Sequence, residues 1–279
     1  MTTTFKFHQL DVFSNEPLLG NPLAVVHGAQ TLKEETMASF ARWTNLSETT
    51  FLLPPVSAQA DYKVRIFTPG RELPFAGHPT LGSCFAWLAA GGQSKSPDYI
   101  VQECGIGLVR IKKDGGKLAF AAPPLLRTGP LGEETLTQIS AGLGINRQDI
   151  VNHQWIDNGP GWCAVMLRSA GQVLSLRPDF ATLGDLKLGV IAPQPAGSDT
   201  DYEVRAFVGS LGVPEDPVTG SLNAGLGVWL IAAGIAKPNY VASQGTVMQR
   251  KGRVYIDQLG DDIWVGGHTA ICIEGTVSI

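Results

Sequence analysis

The chain has 279 residues, of which 44% are hydrophobic and 16% charged, and a formal net charge of -4. That length holds one large domain or two of roughly 130–140 residues, and that balance gives a sizeable core and argues against disorder. A mildly acidic chain has no electrostatic footprint for nucleic acid or an anionic membrane, so neither is expected as a partner.

The chain opens on MTTTFKFHQLDVF, which lacks a basic start followed by an apolar run, so no secretory signal is expected. Within it FKFHQLDVF reads as a strand. TLKEETMASFARWTN (31–45) carries acids early and apolar residues at helical spacing, which predicts a helix. TTFLLPP and DYKVRIFTP read as strands, rich in β-branched and aromatic residues. After Gly77 the run PTLGSCFAWLAAG is apolar on every side, so a helix here must be surrounded. GLVRIKK and KLAFAAP are strands, and AAPPLLRTGPLGEE (121–134) breaks the pattern as a seam. A second helix, EETLTQISAGLG (133–144), ends on glycine, and CAVMLRS follows as a strand. LNAGLGVWLIAAG after Ser221 is again apolar all round, yet too short and glycine-rich to span a bilayer. RVYIDQL and TAICIEG close the chain as strands.

Two stretches repeat each other. Residues 64–91 and 204–234 both open on V-R-x-F, pass a Pro- and Gly-rich loop, reach a glycine and end an apolar run on Ala-Ala-Gly. Val64, Arg65 and Phe67 match Val204, Arg205 and Phe207, and Gly77 and Gly91 match Gly220 and Gly234 with a second loop three residues longer. Upstream, NPLAVV (21–26) falls on GWCAVM (161–166), Ala24 on Ala164. The order suggests a duplicated domain. Short strands wrapping each apolar helix as a curved sheet would leave the helix N-terminus open at the surface.

Such an N-terminus has unpaired N–H groups and positive partial charge, a natural anion site. Gly77 and Gly220 allow close approach of a ligand, and a small carboxylate-bearing substrate fits two such entrances. Thr219 and Ser221 serve equally as helix caps. Three residues are candidates for acid–base chemistry. His78 lies just inside the first entrance and reads as readily as a structural histidine. Asp216, in GVPEDPVTGS (212–221), reads as readily as a turn or cap residue. Glu48, in NLSETTFLL, reads from position alone as a solvated strand end and becomes a base only if a closed site desolvates it.

Other chemistries have little support. There is no G-x-S-x-G, no P-loop and no complete G-x-G-x-x-G. The five histidines form no H-x-x-x-H pair, so no metal is expected. Cys84, Cys104, Cys163 and Cys272 form no C-x-x-C and are expected as buried thiols of a cytoplasmic protein.

GNPLAVV, LSETTFLL, RELPFAGHPTLG and GVPEDPVTGS resemble the PhzF-like phenazine-biosynthesis isomerase family, which shares the diaminopimelate epimerase fold. The resemblance runs from QLDVFSNEPLLGNP to GGHTAICIEG. It implies an α+β protein of two pseudo-symmetric domains, each a barrel-like curved sheet around a central apolar helix, with the active site in the cleft between them. The expected halves are 1–124 and 125–279, the last strand being a candidate to pack on the first half. It implies a homodimeric, cofactor-independent isomerase. The family's catalytic glutamate falls on Glu48, its histidine on His78, its aspartate on Asp216, and its substrate-binding Gly-Ser on Gly220 and Ser221. The characterised family reaction moves a proton between ring carbons of trans-2,3-dihydro-3-hydroxyanthranilate, with Glu48 as the shuttle here. The epimerase relatives carry a cysteine at each helix entrance, where this chain has Ala76 and Thr219, so a two-thiol racemase is not expected. An epimerase using Glu48 with Asp216 or His78, and a non-catalytic small-ligand-binding protein, are the alternatives.

Overall fold

A computed structural model describes residues 2–209 and 214–279; Gly212 and Val213 of GVPEDPVTGS lie outside the described residues. The chain is mixed α/β and divides into two compact units. One comprises residues up to Ala121 together with Gly266–Ile279, and the other runs Ala122–Val265. The division lies inside the 121–134 seam, three residues before the expected 124/125 boundary, and 266–279 belong to the first unit.

In the first unit the order is β1 (Thr4–Val12), β2 (Asn21–Val26), α1 (Glu34–Thr44), β3 (Glu48–Leu53), β4 (Tyr62–Phe67), β5 (Glu72–Leu73), α2 (Gly77–Ala89), β6 (Ile100–Cys104), β7 (Gly107–Asp114) and β8 (Lys117–Ala121). The final strand of the chain, β17 (Thr269–Ser278), pairs antiparallel with β1. β1–β2 is antiparallel, β2–β3 parallel, β3–β4 antiparallel, β4–β6 parallel, and β6–β7–β8 antiparallel. Strands β1, β2, β3, β6, β8 and β17 all pack on α2. Nine-tenths or more of each of Leu81, Gly82, Ser83 and Cys84 is buried there, as a helix without a polar face requires. The other face of the sheet packs on α1 through Val26, Met37, Phe40, Phe51 and Phe67.

The second unit contains α3 (Glu133–Leu143), β9 (Asn152–Trp155), β10 (Trp162–Met166), α4 (Ala170–Ser175), α5 (Phe180–Leu183), β11 (Lys187–Pro193), β12 (Tyr202–Phe207), β13 (Glu215–Asp216), α6 (Gly220–Ala232), β14 (Asn239–Gln244), β15 (Gly252–Leu259) and β16 (Asp262–Gly267), whose last two residues fall in the first unit. Gly144, at φ 65, closes α3 in the left-handed conformation that glycine adopts without strain. β9–β10 is antiparallel, β10–β11 parallel, β11–β12 antiparallel, β12–β14 parallel and β14–β15 antiparallel. Leu136, Ile139, Val165, Val190 and Phe207 belong to the core between α3 and this sheet.

The ladders correct one expected match. Ala24 pairs with Thr49, which pairs with Phe67; Cys163 pairs with Leu188, which pairs with Phe207. With Phe67 and Phe207 equivalent, Ala24 corresponds to Cys163 and not to Ala164. In a strand a slip of one residue exchanges faces, and an Ala-Val pair in two apolar strands is too weak a pattern to fix the register.

Cys84, Cys104 and Cys163 are buried thiols, but Cys272 is half-exposed. It lies on β17, where burial alternates and the outer residues Ile271 and Ile273 are exposed.

Candidate functional site

The mouth of α2 is built by strand parity. On β3, Thr50 faces α2 and its Oγ1 accepts a hydrogen bond from Ser83 Oγ at 2.9 Å. Side chains two apart share a face, so Glu48 points the same way. Its side chain is 15% exposed and Oε2 lies 3.3 Å from His78 Nε2. Glu48 is therefore no solvated strand end. On β2, Leu23 packs toward Gly82 of α2, and Asn21, two residues earlier, reaches the same helix. Asn21 Nδ2 stands 3.3 Å from His78 Nδ1. An amide nitrogen can only donate, so Nδ1 is the acceptor and the ring carries its hydrogen on Nε2, toward Glu48. Burial pushes His78 down to about 3, so the ring is neutral at neutral pH. A neutral ring beside a carboxylate leaves its charge uncancelled, and the 3.3 Å contact of Nε2 with Oε2 is not aligned as a hydrogen bond.

The mouth of α6 is built from β13, β14 and the loop before β10. Thr219 is the N-cap residue of α6, and Ala76 holds that place on α2. Thr219 does not cap its helix with its side chain; the hydroxyl donates to Asp216 Oδ2 at 2.6 Å. Gly220 and Ser221 supply the first helical turn, whose N–H groups have no intrahelical acceptor. Trp162 Nε1 donates to Ser221 Oγ at 3.0 Å and Asn158 Nδ2 to the Ser221 carbonyl at 2.8 Å. The indole N–H can only donate, so it occupies a lone pair of Ser221 and leaves the hydroxyl hydrogen for another acceptor. That suits a carboxylate ligand at a helix N-terminus.

The two acids of the E-D-P stretch do different things. Glu215 is buried and takes a bidentate grip from Arg205, at 2.9 and 2.7 Å, while Asp216 turns to Thr219. Arg205 also donates to the carbonyls of Val173 and Leu176. Glu215 is a structural anchor for β13, and Asp216 is the group left at the mouth.

The structure thus brings Glu48, His78 and Gly77 together in the first unit, and Asp216, Thr219, Gly220 and Ser221 together in the second. Sequence reasoning missed Asn21, Asn158, Trp162 and Gln244, which hold these groups. Asn21 lay in a quoted motif; Gln244 ends NYVASQ, a strand of mixed polar and apolar residues in which nothing singles it out. Among the described residues no cluster of His, Cys, Asp or Glu is arranged to hold a metal ion, and no helix is long and apolar enough to cross a membrane.

The PhzC-PhzF family, described as phenazine biosynthesis-like protein, matches residues 10–275. Antisense-enhancing sequence 1 of Schizosaccharomyces pombe is 38% identical, covering 98% of both chains. The trans-2,3-dihydro-3-hydroxyanthranilate isomerase of Pseudomonas aeruginosa is 34% identical over 79% of this chain and 78% of its own. The crystal structure of a PhzF-family protein from Enterococcus faecalis superposes with a TM-score of 0.81 at 25% identity, covering 99% of this chain and 100% of that one. The chain belongs to the PhzC-PhzF family of phenazine biosynthesis-like proteins and is an isomerase of that family.

Proposed function

We propose that the protein moves a proton between two carbons of a small carboxylate-bearing metabolite, with Glu48 as the shuttle and no cofactor. The observation that carries this reading is the sheltered Glu48 carboxylate 3.3 Å from a histidine that burial keeps neutral. Glu48 takes a proton from one carbon, the electron pair left behind shifts the substrate's double bond, and the same carboxyl returns the proton to the carbon at the far end. Formula and charge balance, and Glu48 ends as it began. His78 stands against the carboxylate as a neutral ring, its Nε2 3.3 Å from Oε2. Asp216, Gly220 and Ser221 supply the grip on the substrate, the helix N–H groups and the Ser221 hydroxyl taking its carboxylate. The recurrence of one strand-pairing scheme around α2 and around α6 supports two pseudo-symmetric domains. The acidic balance and the short helices support a cytoplasmic protein.

The test is turnover of trans-2,3-dihydro-3-hydroxyanthranilate, the substrate in the relative's name, alongside a mass-spectrometric screen of small carboxylates for enzyme-dependent deuterium uptake from heavy water. Glu48→Gln keeps the size of the side chain and removes the base. Turnover should fall by about 10²–10⁴-fold, the scale of lost general acid–base catalysis. Binding of a substrate analogue should change far less. A Glu48→Gln protein within about threefold of wild type removes Glu48 from the chemistry.

A further inference from the structure

Gln244 ends β14 and is 1% exposed. Its amide makes four hydrogen bonds. Oε1 accepts from the Thr219 backbone N–H at 3.1 Å and from Asn223 Nδ2 at 2.8 Å. Nε2 donates to the Asp216 carbonyl at 3.1 Å and to Thr219 Oγ1 at 2.9 Å. Chemistry sets each direction. A backbone N–H only donates, so the Gln244 oxygen must face Thr219 N. A carbonyl only accepts, so the Gln244 nitrogen must face the Asp216 carbonyl. The second hydrogen of that nitrogen goes to Thr219 Oγ1. A hydroxyl has a single hydrogen. With Gln244 on its lone pair, Thr219 turns that hydrogen to Asp216 Oδ2, at the 2.6 Å of a charge-assisted O–H···O⁻ bond.

We propose that Gln244 is a positioning residue for Asp216: it locks the Thr219 hydroxyl as a permanent donor to the Asp216 carboxylate, holding that carboxylate aimed at the mouth of α6. The functional weight of this device rests on the reading of that mouth as a substrate grip. The device also removes Thr219 from chemistry. Its one hydrogen is committed, so the position at which the epimerases carry a thiol here braces a neighbouring acid.

Asp216 is followed in the intact protein by the ¹³C resonance of its side-chain carboxyl, assigned by its loss in Asp216→Asn. Thr219→Val should raise the titration midpoint by about one pH unit, the scale of one charge-assisted hydrogen bond. Thr219→Ser, which keeps the hydroxyl, should stay within a few tenths of wild type. Gln244→Met keeps the length of the side chain and removes all four bonds; it should raise the midpoint comparably. The double variant Thr219→Val with Gln244→Met should titrate no higher than Thr219→Val alone, because Gln244 acts through Thr219. A Gln244→Met midpoint equal to wild type, or two shifts that add in full, overturns the proposal. If Gln244→Met does not fold, the Gln244 amide protons decide it. In Thr219→Val one of them should lose its protection against solvent exchange and the other keep it; both protected as in wild type overturns the proposal. None of these readouts needs turnover, so a protein inert toward every carboxylate screened defeats the proposed function and leaves this inference standing or falling on its own data. Where turnover is measured, the acid limb of the kcat/KM profile in Gln244→Met should move by the same amount as the carboxyl resonance.

Discussion

His78 and Ser221 are both the second residue of an apolar helix, each two places after the N-cap residue, Ala76 in one unit and Thr219 in the other. Glu48 pairs with Leu23 across the parallel ladder of its unit, and Lys187 pairs with Trp162 at the corresponding rung of the other. The frames agree while the chemistry differs. At α2 a carboxylate meets an imidazole. At α6 the equivalent lysine donates to the Pro160 carbonyl, and the acid comes from Asp216 beside the helix. A buried glutamine braces the first turn of each helix, Gln102 donating to Thr80 Oγ1 at 3.0 Å and Gln244 accepting from Asn223 Nδ2. The frame thus fixes where a polar group stands, and the side chains in it decide which polar group that is.

Behind each mouth an arginine of the V-R-x-F strand grips a glutamate of the next short strand and lies over a phenylalanine. Arg205 grips Glu215 with its guanidinium 4.8 Å from the Phe207 ring; Arg65 grips Glu72 at 2.7 and 2.6 Å, 5.1 Å from the Phe67 ring. The largest effect expected is at the buried copy. Arg205 and Glu215 side chains are 4% and 12% exposed, so Glu215→Gln leaves a buried cation without its counter-charge. The loss should be about 3–5 kcal/mol in urea unfolding. A loss under about 1 kcal/mol shows that the pair is solvated and that the two copies are energetically alike.

The second contrast is between matched glycines of the two helices. A methyl added at Gly225 would lie 2.5 Å from the backbone oxygen of Ile156; one added at Gly82 would lie 2.5 Å from Leu23 Cδ2. A backbone oxygen cannot step aside, while a leucine methyl can turn. Gly225→Ala should cost about 1–3 kcal/mol, as overpacking does, and more than Gly82→Ala. It should also disturb the 155–162 segment that carries Asn158 and Trp162 to Ser221. Thermal melts and the indole N–H resonance of Trp162 report the two effects. Equal melting losses with an unmoved indole signal remove the distinction.

The third concerns acid. Burial pushes His78 down to about 3, and His27, lowered mainly by burial and then by His8, to about 4. Unfolded histidines titrate near 6.5, so below that pH the unfolded chain binds more protons than the fold. Stability is full above about pH 6.5 and falls with pH until the folded values are reached. Each histidine contributes a slope of up to about 1.4 kcal/mol per pH unit. His78→Gln should flatten the slope of unfolding free energy between pH 4 and 6 by one proton's worth. An unchanged slope shows that the ring is protonated in the fold and that the α2 mouth holds an ion pair.

These contrasts mark what the sequence could and could not disclose. The two apolar helices and their openings at Gly77 and Gly220 were legible because a run without a polar face has one place to go. The V-R-x-F repeat was legible because it is local. Glu48 looked exposed because parity against the helix, not its neighbours in the chain, decides its environment. The upstream register failed by one residue because apolar strands look alike. Gln244 and Trp162 were invisible because their partners lie far along the chain, 25 residues away for Thr219 and 59 for Ser221.

The smallest effect belongs to the outer copy of the arginine grip. Arg65 bridges Glu72 and, from α1, Glu34 at 2.8 Å, but the three side chains are 22%, 36% and 66% exposed. Water competes for each charge, and salt screens what remains. Glu72→Gln should cost about 0.2–1 kcal/mol and Glu34→Gln less, both shrinking further at high salt. The bidentate geometry and the stack on Phe67 are the same as in the buried copy, so geometry is held constant while solvent access changes. If Glu72→Gln destabilises as much as Glu215→Gln, the strength of the grip lies in its fork geometry and its ring. If it stays under about 1 kcal/mol while Glu215→Gln costs several, desolvation sets the difference, and the second unit is the one that cannot lose its anchor.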